Sequence, residues 1–434
     1  LPAATRPSEP EGPATPRRGF AWQGAVWAVA MAAPTLPWTL WPGIAATGAI
    51  LLLAVMRYRW RLPSGAGSML FLLSLAGLLG AWMRSLGHFP YEALKDLPNM
   101  IFVVLLLGLQ DPRGPGAWRA SLAWGARWAA LLALPGSVLG LWKLSWILGG
   151  GDIGLLTFDG TIPIGTSLCP DYNMYALGLL GCAISAIPGF RNRGPRGRWL
   201  GLALAMLHLA VALLAGSRRA WVMGPFVLGV IAWHFVEVEG ASRRKAMLNL
   251  GKVAMGVAAG AGLLLFAAGQ GDLGDKVEAS SLAMRFGATF QSEGGIGEGL
   301  SEGFQERVER WEATADWVGH ASPASLALGD GLDYLYRFGA FADVPDAQDH
   351  PHNPILAALL YGGMPFALLA LMTLAFPLLL FLGRFRPASP LGAGAVLGLA
   401  FGLPSANTLF SLWLMLLPLL LMLRFPSGSA QADA

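Results

Sequence analysis

The sequence predicts an all-α, polytopic membrane protein, and three observations carry that prediction. Its 434 residues are 55% hydrophobic and only 13% charged, about half the charge of an ordinary soluble domain. Mean hydropathy is +0.53. Apolar runs of about 20 residues recur along the chain, the length a helix needs to cross a hydrocarbon core of about 30 Å. These figures exclude a soluble globular enzyme, a disordered protein and a disulfide-stapled secreted module. The two cysteines, Cys169 and Cys182, are too few for a framework, and Cys182 lies in an apolar run. No charged start, short apolar stretch and small-residue site occur in succession, so no cleavable signal is expected.

Residues 1–20, rich in Pro, Ala and Arg, read as a disordered tail. Twelve helical spans follow in the apolar pattern. They lie at roughly 21–38, 39–56, 66–84, 98–110, 128–148, 173–190, 199–216, 220–237, 253–269, 364–382, 391–405 and 407–424. The fourth is short and Pro98 precedes it, which fits a tilted or partly re-entrant segment. The chain divides into the tail, spans one to nine within 21–269, a large loop at 270–351, spans ten to twelve within 352–425 and a second tail at 426–434. An even count puts both ends on one side.

Charge sets the orientation. Of the 30 Lys and Arg residues, 20 fall in the tail, near Arg424 and in connections on one face, among them Arg57/Arg59/Arg61 and Arg191/Arg193/Arg196/Arg198. The positive-inside rule places that face and both termini in the cytoplasm. The same sorting means that the net charge of +4 is no nucleic-acid signature. The 270–351 insertion carries 15 of the 26 acidic residues and only 5 basic ones. It reads as a helical cap on the outer side. Its clearest helix is 301–318, with Phe304, Val308, Trp311 and Ala315 expected on one face. A shorter outer loop, 149–172, ends in Cys169-Pro170-Asp171-Tyr172. The phosphate loop GxxxxGK[ST], a paired Asp-x-Asp, HExxH and GxSxG are all absent, so an enzyme of this sequence would use an already activated substrate.

Three groups of residues sit where the topology disfavours charge. Ser217-Arg218-Arg219 occupies a tight turn at the outward end of the seventh span. A cation there calls for an anionic partner, and the planar fork of arginine suits phosphate or carboxylate; the competing reading is an arginine snorkelling to the headgroups. Arg307 and Trp311, spaced i,i+4, share a helical face, with Arg310 pointing elsewhere. The plainer alternative is an amphipathic surface helix with Glu306, Glu309 and Glu312 solvated. The third group is Asp349-His350-Pro351-His352-Asn353-Pro354. Asn353 is a good N-cap and Pro354 a good first helical residue. That places His352 just before a helix N-terminus, whose partial charge favours neutral imidazole, the form a general base needs. Two alternatives remain open, a capping histidine without chemistry and a metal site from Asp346, Asp349, His350 and His352. His208 and His234, in apolar runs, read as satisfied core or helix-end histidines.

Taken in order, these segments resemble the O-antigen ligase and O-antigen polymerase family of bacterial envelope enzymes. The resemblance rests on Ser217-Arg218 opening a helix, on Arg307-x-x-x-Trp311 followed by Gly329-Asp330-Gly331, and on His352-Asn353 followed after nine residues by Gly363. Phe366 stands where that pattern favours Gly, and Arg219 where it favours a small residue. Asp171-Tyr172-Asn173 resembles a weaker segment at the start of a span. The resemblance implies a glycosyltransferase in the bacterial inner membrane, with its active site facing the periplasm. It would move a polysaccharide from undecaprenyl pyrophosphate to a sugar hydroxyl of lipid A-core without ATP, metal or other cofactor. For that reaction the residue types assign His352 as general base and Arg218, or Arg219, with Arg307 as pyrophosphate ligands. Asn353, His350, Trp311, Asp171 and Asn173 would support them. A polymerase or a protein O-oligosaccharyltransferase would use the same donor, and a lipid-linked-oligosaccharide flippase is the reading from another class.

Overall fold

A computed structural model describes residues 21–58, 60–62, 66–84, most of 101–109, 114–149, 165–169, 171–239, 296–331, 351 and 353–384. Among these the chain is helical, with one isolated antiparallel bridge between Trp60 and Leu109. In chain order the helices are α1 (Trp22–Ala32), α2 (Leu40–Arg57), α3 (Ala66–Arg84), α4 (Gly114–Leu132), α5 (Leu134–Leu148) and α6 (Tyr172–Phe190). They continue with α7 (Gly194–Leu213), α8 (Arg218–Glu239), α9 (Ile296–His320), α10 (Pro323–Leu328) and α11 (Pro354–Arg384). Among the described residues four stretches are long and apolar enough to cross a membrane: Ala120–Ile147, Tyr172–Phe190, Gly194–Leu213 and Pro354–Met372. They mark the chain as a membrane protein. The spans expected at 253–269, 391–405 and 407–424, and both tails, lie outside the described residues.

Several boundaries differ from the sequence pattern for local reasons. The run at 21–38 forms only the 11 residues of α1, about 16 Å of rise, and one 3₁₀ turn, Ala33–Thr35. Pro34 has no N–H with which to continue the helix. The span expected from 128 begins instead at Gly114, so Arg119 and Arg127 lie on a helix rather than in a connection. α4 passes to α5 at Ala133, with Pro135 in the first turn of α5, where its missing N–H is harmless. In the acidic insertion the helix runs over Ile296–His320, and its buried line centres on Thr314. Ala315, expected to pack, is exposed, while Arg310 and Trp317 are half-buried. Glu309 and Glu312 are exposed as expected.

α6 is the axis of the bundle, packed by α1, α4, α7 and α8. Its residues from Met174 to Ile187 are buried throughout. α1 and α4 cross backbone to backbone, because a Cβ on Gly125 would overlap Gly24 and one on Gly24 would overlap Ser121. The Gly24 N–H donates to Ser121 Oγ at 3.0 Å, and Trp27 Nε1 to Ser185 Oγ at 2.9 Å. His208 is a satisfied core histidine, 2.7 Å from Ser137 Oγ and 2.9 Å from the Ala130 carbonyl. Large apolar side chains stay exposed on the outer faces, among them Leu52, Met56, Leu72 and Val138, as a lipid environment permits. Two tryptophan pairs lie on the exposed face of α4 and α5, Trp124 with Trp128 and Trp142 with Trp146, at ring separations of 6.2 and 5.8 Å. α11 packs on α3 and α10. Phe366 is buried in a notch left by Gly77 of α3, where a Cβ would collide with its ring. The bulky residue in the Gly-x-x-Gly position is therefore matched by a glycine on the facing helix.

Candidate functional site

Two corners collect the residues singled out above. The first lies where α6 and α8 begin. Asp171 caps α6, its Oδ1 accepting the N–H groups of Asn173 and Met174 at 3.0 and 3.1 Å. Ser217, fully buried, precedes α8, and its Oγ accepts the Ala220 N–H at 3.4 Å. The same hydroxyl donates to Asn173 Oδ1 at 2.9 Å. The N-termini of α6 and α8 therefore stand side by side, each a centre of partial positive charge. Arg218 and Arg219 are the first two residues of α8. Cations at a helix N-terminus oppose its dipole, and a bound anion would relieve that, with the Asp171 carboxylate supplying part of the counter-charge. Arg219 is half-buried; the side chain of Arg218 lies outside the described residues.

A buried network backs this corner. Thr166 ties residues 165–169 to the end of α7, its Oγ1 donating to the Val211 carbonyl at 2.7 Å and its N–H to that of Leu214 at 3.0 Å. Lys143 of α5 is buried and donates to the Ser167 carbonyl. The Cys169 thiol donates to the Pro34 carbonyl at 3.2 Å. Burial pushes that thiol up to about 12, with Asp171 adding to the shift and Lys143 opposing it. Cys169 and Cys182 are both free. Lys143 was missed in the sequence reading. The signal was there, a lone lysine in the apolar run Gly140-Leu-Trp-Lys-Leu-Ser-Trp, since an intramembrane charge is a functional hint by default.

The second corner is built on Gly329-Asp330-Gly331. Gly362 and Gly363 break α11, with Gly363 at φ 70°. Pro365 has no N–H for the Tyr361 carbonyl four residues earlier. The tight turn supplies the missing donors: Asp330 N–H reaches the Leu360 carbonyl at 2.7 Å and Gly331 N–H that of Tyr361 at 3.2 Å. Both Gly329 (φ 77°) and Gly331 (φ 90°) take the left-handed backbone that makes the turn. The Asp330 side chain then joins two more helices. Its Oδ1 accepts from Arg84 at the end of α3 at 3.2 Å, and its Oδ2 from Trp317 Nε1 of α9 at 3.1 Å. Arg84 also reaches Ser325 Oγ at 3.0 Å and the Gly329 carbonyl at 3.2 Å.

Two arms leave this junction. Along α9, Arg307 lies ten residues before Trp317, about 15 Å of helix, and Trp311 is half-buried between them. Along α11, Asn353 lies eight residues before Tyr361, about 12 Å. Asn353 is the N-cap, its Oδ1 accepting the Ile355 and Leu356 N–H groups at 2.9 and 3.3 Å, with Pro354 first in the helix. His350 and His352, and the side chain of Arg307, lie outside the described residues, as do Asp346 and Asp349. Among the described residues no group of three or more His, Cys, Asp or Glu side chains could hold a metal ion.

No family model, no curated protein and no solved structure matches the chain. The fold and the two corners define a class by themselves, a helical membrane protein with an arginine-headed corner where two helices begin and a separate clamp on a broken helix.

Proposed function

We propose that the protein is a glycosyltransferase of the O-antigen ligase type, transferring a polysaccharide from undecaprenyl pyrophosphate to a sugar hydroxyl of lipid A-core. The observation that carries this reading is the Ser217–Asn173 hydrogen bond, which sets two helix N-termini together behind two arginines. A diphosphate is the ligand such a corner suits. The reading includes twelve spans, cytoplasmic termini and a periplasmic site.

In the reaction the acceptor hydroxyl oxygen attacks the anomeric carbon, and the bond from that carbon to the pyrophosphate oxygen breaks. The electron pair leaves with the undecaprenyl pyrophosphate, and attack opposite the leaving group inverts the centre. Arg218 or Arg219, with Arg307, stabilises the charge that builds on the pyrophosphate. One such donor in a water-poor site is worth on the order of 3 kcal/mol. His352 takes the acceptor proton; it precedes in sequence the Asn353 cap of a helix, whose N-terminal partial charge would favour neutral imidazole.

Reconstitution with purified lipid-linked polysaccharide and lipid A-core, with and without EDTA, tests the proposal. Product joined to lipid A-core in both samples supports it. Elongated lipid-linked glycan without joined product would mean a polymerase, and donor crossing the bilayer unreacted a flippase.

A further inference from the structure

The opposite end of the bundle carries an arrangement that the transferase reading leaves unused. Arg127 lies on α4 within the stretch Ala120–Ile147, not in a connection. Its Nε is buried and has no hydrogen-bond partner among the described residues. Its guanidinium lies near enough to Arg193, which precedes α7, for the two charges to repel. Its backbone is held there by a tight crossing, since a Cβ on Gly189 of α6 would lie 2.5 Å from the Arg127 backbone nitrogen. Arg191, Arg193 and Arg196 are exposed beside it.

Carboxylates are few at this end, where Glu237 and Glu239 close α8. Helices α1 to α7 contain no Asp or Glu, and the chain has none between Asp171 and Glu237. The carbonyl end of α6 offers only a partial negative charge. The depth is that of a lipid headgroup. Trp124 and Trp128, exposed on α4, flank Arg127 in sequence, and Trp199 at the start of α7 is 70% exposed. Exposed tryptophans of this kind sit at the membrane–water boundary. The positive-inside rule accounts for arginines in the connection, but not for one inside a helix whose buried Nε has no partner among the described residues and whose charge is near that of another arginine.

We propose that Arg127 and Arg193 form a site for the phosphate of an anionic phospholipid, whose acyl chains lie along the exposed Trp124–Trp128 face. The test uses the full chain in nanodiscs of phosphatidylcholine with or without phosphatidylglycerol, followed by native mass spectrometry and thermal unfolding. Phosphatidylglycerol should be retained in preference to phosphatidylcholine and should raise the unfolding midpoint. The Arg127→Gln/Arg193→Gln variant should retain it about thirtyfold less, at roughly 1 kcal/mol per arginine. Arg61→Gln, an exposed arginine elsewhere, should behave as wild type. Equal loss in Arg61→Gln, or no preference in the wild type, overturns the site. Stabilisation by inorganic phosphate alone overturns the lipid as its ligand. Should Arg127→Gln fail to fold, Arg193→Gln alone must still weaken retention, because that side chain is exposed and glutamine keeps its Cβ and Cγ against Gly197.

Discussion

A single hydroxyl, Ser217 Oγ, joins parts of the chain 44 residues apart and fixes where the two arginines of α8 begin. Asn173→Ala should therefore weaken donor binding, raising KM several-fold while the thermal midpoint moves little, because a hydrogen bond of this kind contributes only about 1 kcal/mol. In the same transfer assay His352→Ala should abolish turnover and leave donor binding largely intact. Arg307→Lys keeps charge but loses the paired N–H fork, and full activity in that variant would remove bidentate recognition there. Cys169 should resist alkylation at pH 7, where a thiol of pKa about 12 is ionised to about one part in 100,000. Rapid labelling of native protein by iodoacetamide, read by mass spectrometry, would contradict the burial described. The Asn353 cap was legible in the sequence because capping is local, requiring only a side-chain oxygen and the next three residues. The Asn173–Ser217 contact was not, since nothing in either segment specifies a partner so far along the chain.

At the scale of elements, the break in α11 and the turn that mends it behave as one unit. Gly363→Ala must adopt a left-handed backbone and bring a methyl within 2.5 Å of the Ala327 carbonyl carbon. A loss of about 2 kcal/mol or more is expected, measured by unfolding in detergent. Asp330→Ala removes an acceptor from both Arg84 and Trp317. The Arg84 side chain is 34% exposed, so solvent screens part of the pair, and a loss of about 2 kcal/mol is expected. The Asp330→Asn variant should recover part of that loss through its remaining carbonyl. The break in α11 was not read from the sequence, and the donors that repair it come from 30 residues upstream. The packed face of α9 was displaced for a related reason. Periodicity gives the repeat of a helix, whereas the face that sinks depends on what it meets, here Asp330 through Trp317.

For the whole molecule, composition sufficed to establish a helical membrane protein, because a bilayer leaves few other ways to satisfy so apolar a backbone. Which helix lies at the centre was not legible. α6 is no more apolar to the eye than its neighbours, and its position follows from small residues that admit others, as where Gly178 meets Pro34 and Met31. The tryptophans of α4 and α5 have a consequence at this scale. Trp124 and Trp142, like Trp128 and Trp146, are 18 residues apart, five full turns, so both pairs face the same way. Along the helix axis that is about 27 Å, close to the thickness of a hydrocarbon core. The surface is thus a ruler with an aromatic mark at each end. In bilayers of much shorter or longer acyl chains one mark must leave its depth, and quenching of tryptophan emission by lipids brominated at known positions should register the shift.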